Sequence, residues 1–273
     1  MLGTMSTAQS FGPLLRQWRN TRSLTQMALA EQAEVSTRHI SFMETGRSNP
    51  SREMVLVLAS VLELPLRDRN SLLVSAGFAP AYHETDLQSE EMRPVRRALD
   101  FILRSTDPYG AVVLDGGWDI VMSNAAAQRF TQMMIADPAA MLSMGPPNML
   151  RLLFHRAGAR ESIENWEHVA RATIARVHRD LHHRSDDRRL SSVLDEVLGY
   201  DDVPRDFRTL DLMDPPSLCI PIDFRIEGQL LRTFSMVTTV GSAQDVTLQE
   251  ICIESFFPAD DATDQHFQAL AGG

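Results

Sequence analysis

The sequence predicts two domains of different class, an all-α domain at the amino end and an α+β domain built on an antiparallel sheet behind it. Three observations predict this. Residues 11–76 read as short, capped helices, none long enough to be stable alone, so they must share one small core. Residues 111–122 and 218–257 carry strand patterns, with long helical periodicities between them. A polar, acidic stretch without periodicity, 83–92, separates the two halves, and 273 residues suffice for both. The expected boundaries are 1–82 for the helical domain, 83–93 for a linker and 94–273 for the second domain.

The helical elements follow in order. Leu14, Leu15 and Trp18 form a stripe, broken at Asn20-Thr21-Arg22-Ser23. Thr25 can cap a second helix through Met27, Ala28, Leu29 and Ala30, and Ser36 a third through Ile40 and Met43, ended by Gly46. Asn49-Pro50-Ser51 starts a fourth with Met54, Val55, Leu58 and Leu62, and Leu66, Leu72, Leu73 and Ala76 mark a fifth. Two short helices around a three-residue turn, with small Ala28 allowing close approach and Val35 plugging the junction, fit a helix-turn-helix.

The residues Leu24-Thr25-Gln26…Leu29-Ala30…Val35-Ser36…Ile40-Ser41…Met43-Glu44-Thr45-Gly46-Arg47…Pro50-Ser51 resemble the Xre/Cro/lambda-repressor class over about residues 11–64. The resemblance implies a lambda-repressor-like domain that binds a double-stranded DNA operator. It puts Gln26 at a position that touches a phosphate and braces base contacts. It puts Ser36, Thr37, Arg38, Ser41 and Phe42 at the start and on the exposed face of the recognition helix, and Arg47 and Asn49 at phosphate contacts in the loop behind it. Arg38 can hold guanine bidentately and Phe42 can meet a thymine methyl or pack against the fourth helix. Arg19 and Glu44 match an internal ion pair. The family often reads bases with glutamine, whereas here Thr, Arg and Phe stand there, so no operator sequence transfers. One such domain covers one half-site, so a homodimer is expected, with the apolar helix 95–103 as the dimer element.

In the second domain Pro94 opens a helix with Val95, Leu99, Ile102 and Leu103 on one side. Residues 111–114 and 118–122 form a hairpin around Asp115-Gly116-Gly117, and Asn124 can cap a helix through Ala127, Phe130, Met133 and Met134. Spacings of three and four run from Trp166 to Leu181 and from Leu190 to Leu198, where Gly199 stops them. Three strands follow at 218–225, 230–240 and 248–257; in the last, Ile251, Ile253 and Phe257 share one face and Cys252 and Glu254 the other. The hairpin with Asn124 resembles the opening of a PAS domain, which implies a five-stranded antiparallel sheet of order 2-1-5-4-3. With 72–80 and Asn148-Met149-Leu150-Arg151-Leu152-Leu153-Phe154, the pairing resembles the MmyB-like regulators, and that resemblance implies a second domain that binds a small apolar molecule such as a fatty acid.

Composition limits the function. All 26 basic residues are arginine, and the absence of lysine excludes a P-loop clamp, a Schiff base and a Ser–Lys dyad. No nucleophile elbow, zinc-protease helix or glycine-rich phosphate loop is present, so no enzyme is expected. Two cysteines cannot make a disulfide framework or a four-cysteine zinc site, and no metal site is expected. Residues 1–83 carry a net charge of +2 and residues 84–273 a net of −12, a neutral-to-basic reader joined to an acidic module. No apolar run approaches the ~20 residues of a membrane span, and the opening residues lack a signal-peptide pattern, so a cytoplasmic protein is expected.

Nine of the fourteen methionines fall beyond residue 91, and flexible thioethers suit an adaptable apolar cavity as well as ordinary core filling. The expected lining is drawn from Trp118, Phe130, Met133, Met134, Leu150, Phe154, Trp166, Phe234, Met236, Ile251 and Ile253, with Arg129, Arg151 or Arg232 to anchor a carboxylate. No cofactor is expected other than a bound fatty acid as ligand. The alternative is a regulator whose second domain serves only dimerisation or protein contact, its cavity filled by side chains.

Overall fold

Side-chain caps set where the first helices start. In the computed structural model of the protein, which describes residues 10–183, 188–209 and 219–272, Thr25, Ser36 and Ser51 each accept a hydrogen bond from the backbone N–H three residues on, at 3.0, 3.2 and 3.1 Å. They open α2 (Gln26–Gln32), α3 (Thr37–Glu44) and α4 (Arg52–Val61); α1 (Phe11–Thr21) precedes these and α5 (Leu66–Ser75) follows. Leu15, Trp18, Leu29, Ile40, Leu58 and Leu72 fill one core. The small residues buried at the turn are Ala30 and Ala33, whereas Ala28 is only half-buried. Gly12 is required by packing, since a Cβ there would lie 2.6 Å from the Glu44 carbonyl oxygen. Residues 10–84 make one compact unit, and most of the described chain from Thr85 onward makes a second.

The second unit opens with α6 (Arg93–Ser105), β1 (Ala111–Leu114), β2 (Ile120–Ser123) and α7 (Ala125–Met134). Helices α8 (Pro138–Ser143), α9 (Met149–Phe154), α10 (Trp166–His183) and α11 (Arg188–Val197) come next. Then follow β3 (Pro221–Ile226), β4 (Gln229–Thr239), α12 (Val246–Glu250), β5 (Cys252–Pro258) and α13 (Asp261–Gly272). The strands pair antiparallel in the order β2-β1-β5-β4-β3, the order that the PAS resemblance implies. Both faces of the sheet are covered. Ala111, Val113 and Ile253 meet Leu99 and Leu103 of α6 on one face, while Val112, Leu114, Ile222 and Phe224 join the core made with α7, α9 and α10 on the other. All four residues of β1 are therefore buried, as a two-sided strand requires.

Several elements differ from expectation. Trp118 has φ +65, a left-handed backbone that an extended strand does not tolerate, so β2 begins at Ile120. Residues 246–250 form α12, so the last strand starts at Cys252 instead of residue 248. The expected linker is partly core: Leu87 and Met92 are buried beside α6, and Arg96 donates to the carbonyls of Leu87 and Ser89. The stripe read on α6 divides, with Leu99 and Leu103 buried and Ile102 43% exposed. Residue 218, the expected start of the third strand, lies outside the described residues. No described helix is long and apolar enough to cross a membrane.

Candidate functional site

On α3 the 3.6-residue period buries Ile40, Met43 and Glu44 and leaves Thr37 and Arg38 exposed, with Ser41 and Phe42 half-buried beside them. The Arg38 guanidinium lies 5.0 Å from the Phe42 ring centroid, one helical turn away, and that of Arg47 lies 5.9 Å from the same ring. Phe42 is thus a platform that orders two arginines through cation–π contact. Sequence reasoning missed this role, although the i, i+4 spacing of Arg38 and Phe42 signals it. Ser36 and Asn49 are exposed, and the Ser36 oxygen is occupied as the cap of α3.

Gln26 sits behind this face. Its amide donates to Glu44 at 2.8 Å, so its orientation is set from within. The same carboxylate takes Arg19 Nε at 2.6 Å and Nη2 at 3.2 Å, the internal pair that the resemblance implies, with Arg16 at 3.4 Å. Burial pushes the Glu44 carboxyl up, but the Arg19 and Gln26 donors outweigh it and hold the group below its ordinary value of 4.5. Arg22 donates to the Leu62 carbonyl at 2.8 Å and so braces the end of α4.

In the second unit a cavity of about 70 Å³ lies between the sheet and the helices. Trp118, Phe130 and Met134 line it as expected from sequence, joined by Met149, Phe224 and Phe267. Phe130 meets Phe224 and Phe267 edge-on, with ring centroids at 4.9 and 5.4 Å. The other expected lining residues fall elsewhere. Met133 packs half-buried on the same core, and Leu150 is buried in it without reaching the cavity. Phe154 and Trp166 form a separate aromatic cluster with Phe207, and the Trp166 indole donates to the Leu153 carbonyl at 2.8 Å.

Strand alternation accounts for the rest. On β5 the cavity face carries Glu254 and Phe256, while Ile253 points to the α6 side, where Ile251 also packs. On β4 Ser235 faces the cavity, so its neighbour Phe234 packs on Phe257 instead, and Met236 is 57% exposed. The two faces of β5 were legible. Which of them lined the cavity was read in reverse, because α6 demands apolar partners on the far face as well.

The polar end of the cavity was also missed. Arg176 of α10 lines it and donates to Glu254 at 2.8 Å, with its guanidinium 4.5 Å from the Trp118 ring centroid. Burial opposes the Arg176 charge, but Glu254 and its neighbours more than restore it. The arginines expected as anchors are engaged or remote: Arg151 is forked on Glu196 at 2.8 and 2.9 Å, Arg232 pairs with Asp260, and Arg129 is exposed. The hairpin that carries Trp118 is held from both ends. Asp115 accepts from the backbone N–H groups of Gly117 and Asp119 at 2.9 Å each, and Asn148 donates to the Gly117 carbonyl at 2.9 Å and to Asp119 at 2.7 Å. A bulky residue with φ +65 stores strain of about 1–3 kcal/mol, and these bonds keep the indole in the cavity wall.

Comparison with known proteins agrees with this architecture. A helix-turn-helix domain model matches residues 10–72, and the model described as the MmyB-like transcription regulator ligand binding domain matches residues 95–270. No curated protein matches the chain. The structure of an RNA-binding Light-Oxygen-Voltage receptor is similar at 13% identity and a TM-score of 0.28, over 96% of this chain and 64% of that one. The chain spans less than two thirds of that structure's length, and a likeness of this size carries no functional argument. The helix-turn-helix and the second-domain match, which covers well over half of the sequence, show that the chain belongs to the MmyB-like transcription regulators, DNA-binding proteins with a ligand-binding domain.

Proposed function

We propose that the protein is a sequence-specific, Xre-type transcription regulator that acts in the cytoplasm as a homodimer and whose second domain senses a small apolar ligand, a fatty acid or other acyl compound. The observation that carries the ligand reading is an apolar cavity with one polar end, at Arg176 and Glu254. Its size bears on the length of the chain. One water needs about 10–15 Å³ of such space, so about 70 Å³ admits a handful of waters or a short aliphatic chain. A chain of twelve or more carbons enters only if the aromatic walls part. Burial adds about 0.8 kcal/mol per CH₂, which leaves net affinity for even a medium chain after the cost of association.

Ligand occupancy changes operator affinity only as far as the ligand prefers one state of the regulator over the other. Mass spectrometry of organic extracts of the purified protein, with melting curves in the presence of C6–C18 acyl compounds, tests the reading. A co-purifying aliphatic compound or a raised melting temperature supports it. Neither result leaves the second domain as a dimerisation or protein-contact module.

A further inference from the structure

The groups at the polar end of the cavity do not make an anion trap. Arg176 is the cation there, and its charge is already met: Nη1 donates to Glu254 at 2.8 Å, with the Glu254 side chain 10% exposed and that of Arg176 18%. Nη2 lies 3.5 Å from Cys252 Sγ. One turn further along α10, Asp180 accepts the Trp118 indole N–H at 3.3 Å and also acts on the Arg176 charge. Among the described residues that line the cavity, one guanidinium therefore faces one carboxylate, and Asp180 adds its charge from outside the lining. A ligand carboxylate entering here would gain Arg176 but meet Glu254, with Asp180 acting from outside the lining, while losing its own hydration in an apolar space.

Uncharged polar groups suit the same place. A guanidinium has five N–H donors, and the described partners of Arg176 use two, so a carbonyl or hydroxyl oxygen can accept a further one without breaking the Glu254 pair. Thr173 and Ser235 add hydroxyls at the cavity wall. We propose that the cavity selects aliphatic compounds that end in an uncharged amide, ester or hydroxyl group, and discriminates against the free carboxylate. The pair Arg176–Glu254 is the selecting element, because Glu254 occupies the cation that a fatty acid would require. This rests on the acyl-ligand reading above and narrows it.

Calorimetric titration of the full-length protein at neutral pH with octanamide, octan-1-ol and octanoate tests the proposal. The two neutral probes are expected to bind at least about tenfold more tightly than octanoate. In Glu254→Gln, octanoate is expected to gain at least about tenfold while octanamide changes little, because Arg176 is then unmatched. Glu254→Ala gives a second variant, circular dichroism reports whether either folds, and the comparison on the parent protein decides without them. Octanoate binding the parent as tightly as the neutral probes overturns the selection and leaves the ligand reading standing. If none of the three binds and the organic extract is empty, the ligand reading falls and takes the selection with it.

Discussion

At the scale of single residues, Arg38 and Arg47 share a ring but differ in what they can read. Arg38 projects from the exposed face of α3, whereas Arg47 follows the helix in the loop. Arg38→Ala is predicted to remove about 1–3 kcal/mol of discrimination between the operator and unrelated DNA, with an unchanged circular dichroism spectrum. Arg47→Ala is predicted to weaken all DNA sequences alike, since phosphate contacts carry no sequence information. Equal operator binding by Arg38→Ala and the parent in a competition titration would remove α3 as the reading helix. Glu44 gives a prediction of stability. Its folded value lies below the ordinary 4.5, so the stabilisation is fully present above 4.5 and is lost as pH falls through the folded value. Denaturant titrations of the helix-turn-helix unit should therefore show a midpoint that drops below pH 4.5. Glu44→Ala, which leaves Arg19 buried without its partner, should lose that pH dependence together with about 3–5 kcal/mol.

At the scale of elements, Asn124 joins four parts of the second unit. Its carbonyl oxygen caps α7 through Ala127 N–H at 2.8 Å and accepts from Ala111 N–H at 3.0 Å, while its amide donates to the carbonyls of Leu103 and Tyr109 at 3.1 and 2.8 Å. A cap alone contributes about 1 kcal/mol, and each buried backbone group left unpaired costs about 1–3 kcal/mol more. Asn124→Ala is predicted to lower the stability of the unit by about 2–4 kcal/mol in urea; a loss under 1 kcal/mol would reduce Asn124 to an ordinary cap. The cap was legible from sequence. The four other partners, which include the Asp107 carboxylate at 3.2 Å, were not, because they are brought to Asn124 by the end of α6, the residues behind it and the start of β1.

At the scale of the whole molecule, the charge is divided, with a net of +2 over residues 1–83 and −12 beyond. A net charge of −12 on the acidic part opposes non-specific adhesion to nucleic acid. A homodimer is predicted to protect two half-sites whose centres lie about 34–36 Å apart or at a multiple of that spacing. On α6, Phe101 is 63% and Ile102 43% exposed, so apolar surface remains on this helix after Leu99 and Leu103 are buried. Sedimentation measures the assembly and footprinting the spacing; a monomer that shields a single half-site would defeat the dimer prediction.

The sequence by itself determined the two fold classes, the caps at Thr25, Ser36, Ser51 and Asn124, and most of the strand patterns, while the order 2-1-5-4-3 came from the PAS resemblance. These features are written in spacings of two to four residues, so local chemistry specifies them. Three of the eleven expected lining residues, Trp118, Phe130 and Met134, were legible in the same way. Tertiary structure alone decided which face of the sheet holds the cavity, since α6 covers the other face and both faces of β1 are apolar. It also decided that Arg176 and Glu254 meet. Glu254 lies 78 residues from Arg176, and no periodicity of either element announces a contact made only when α10 crosses β5.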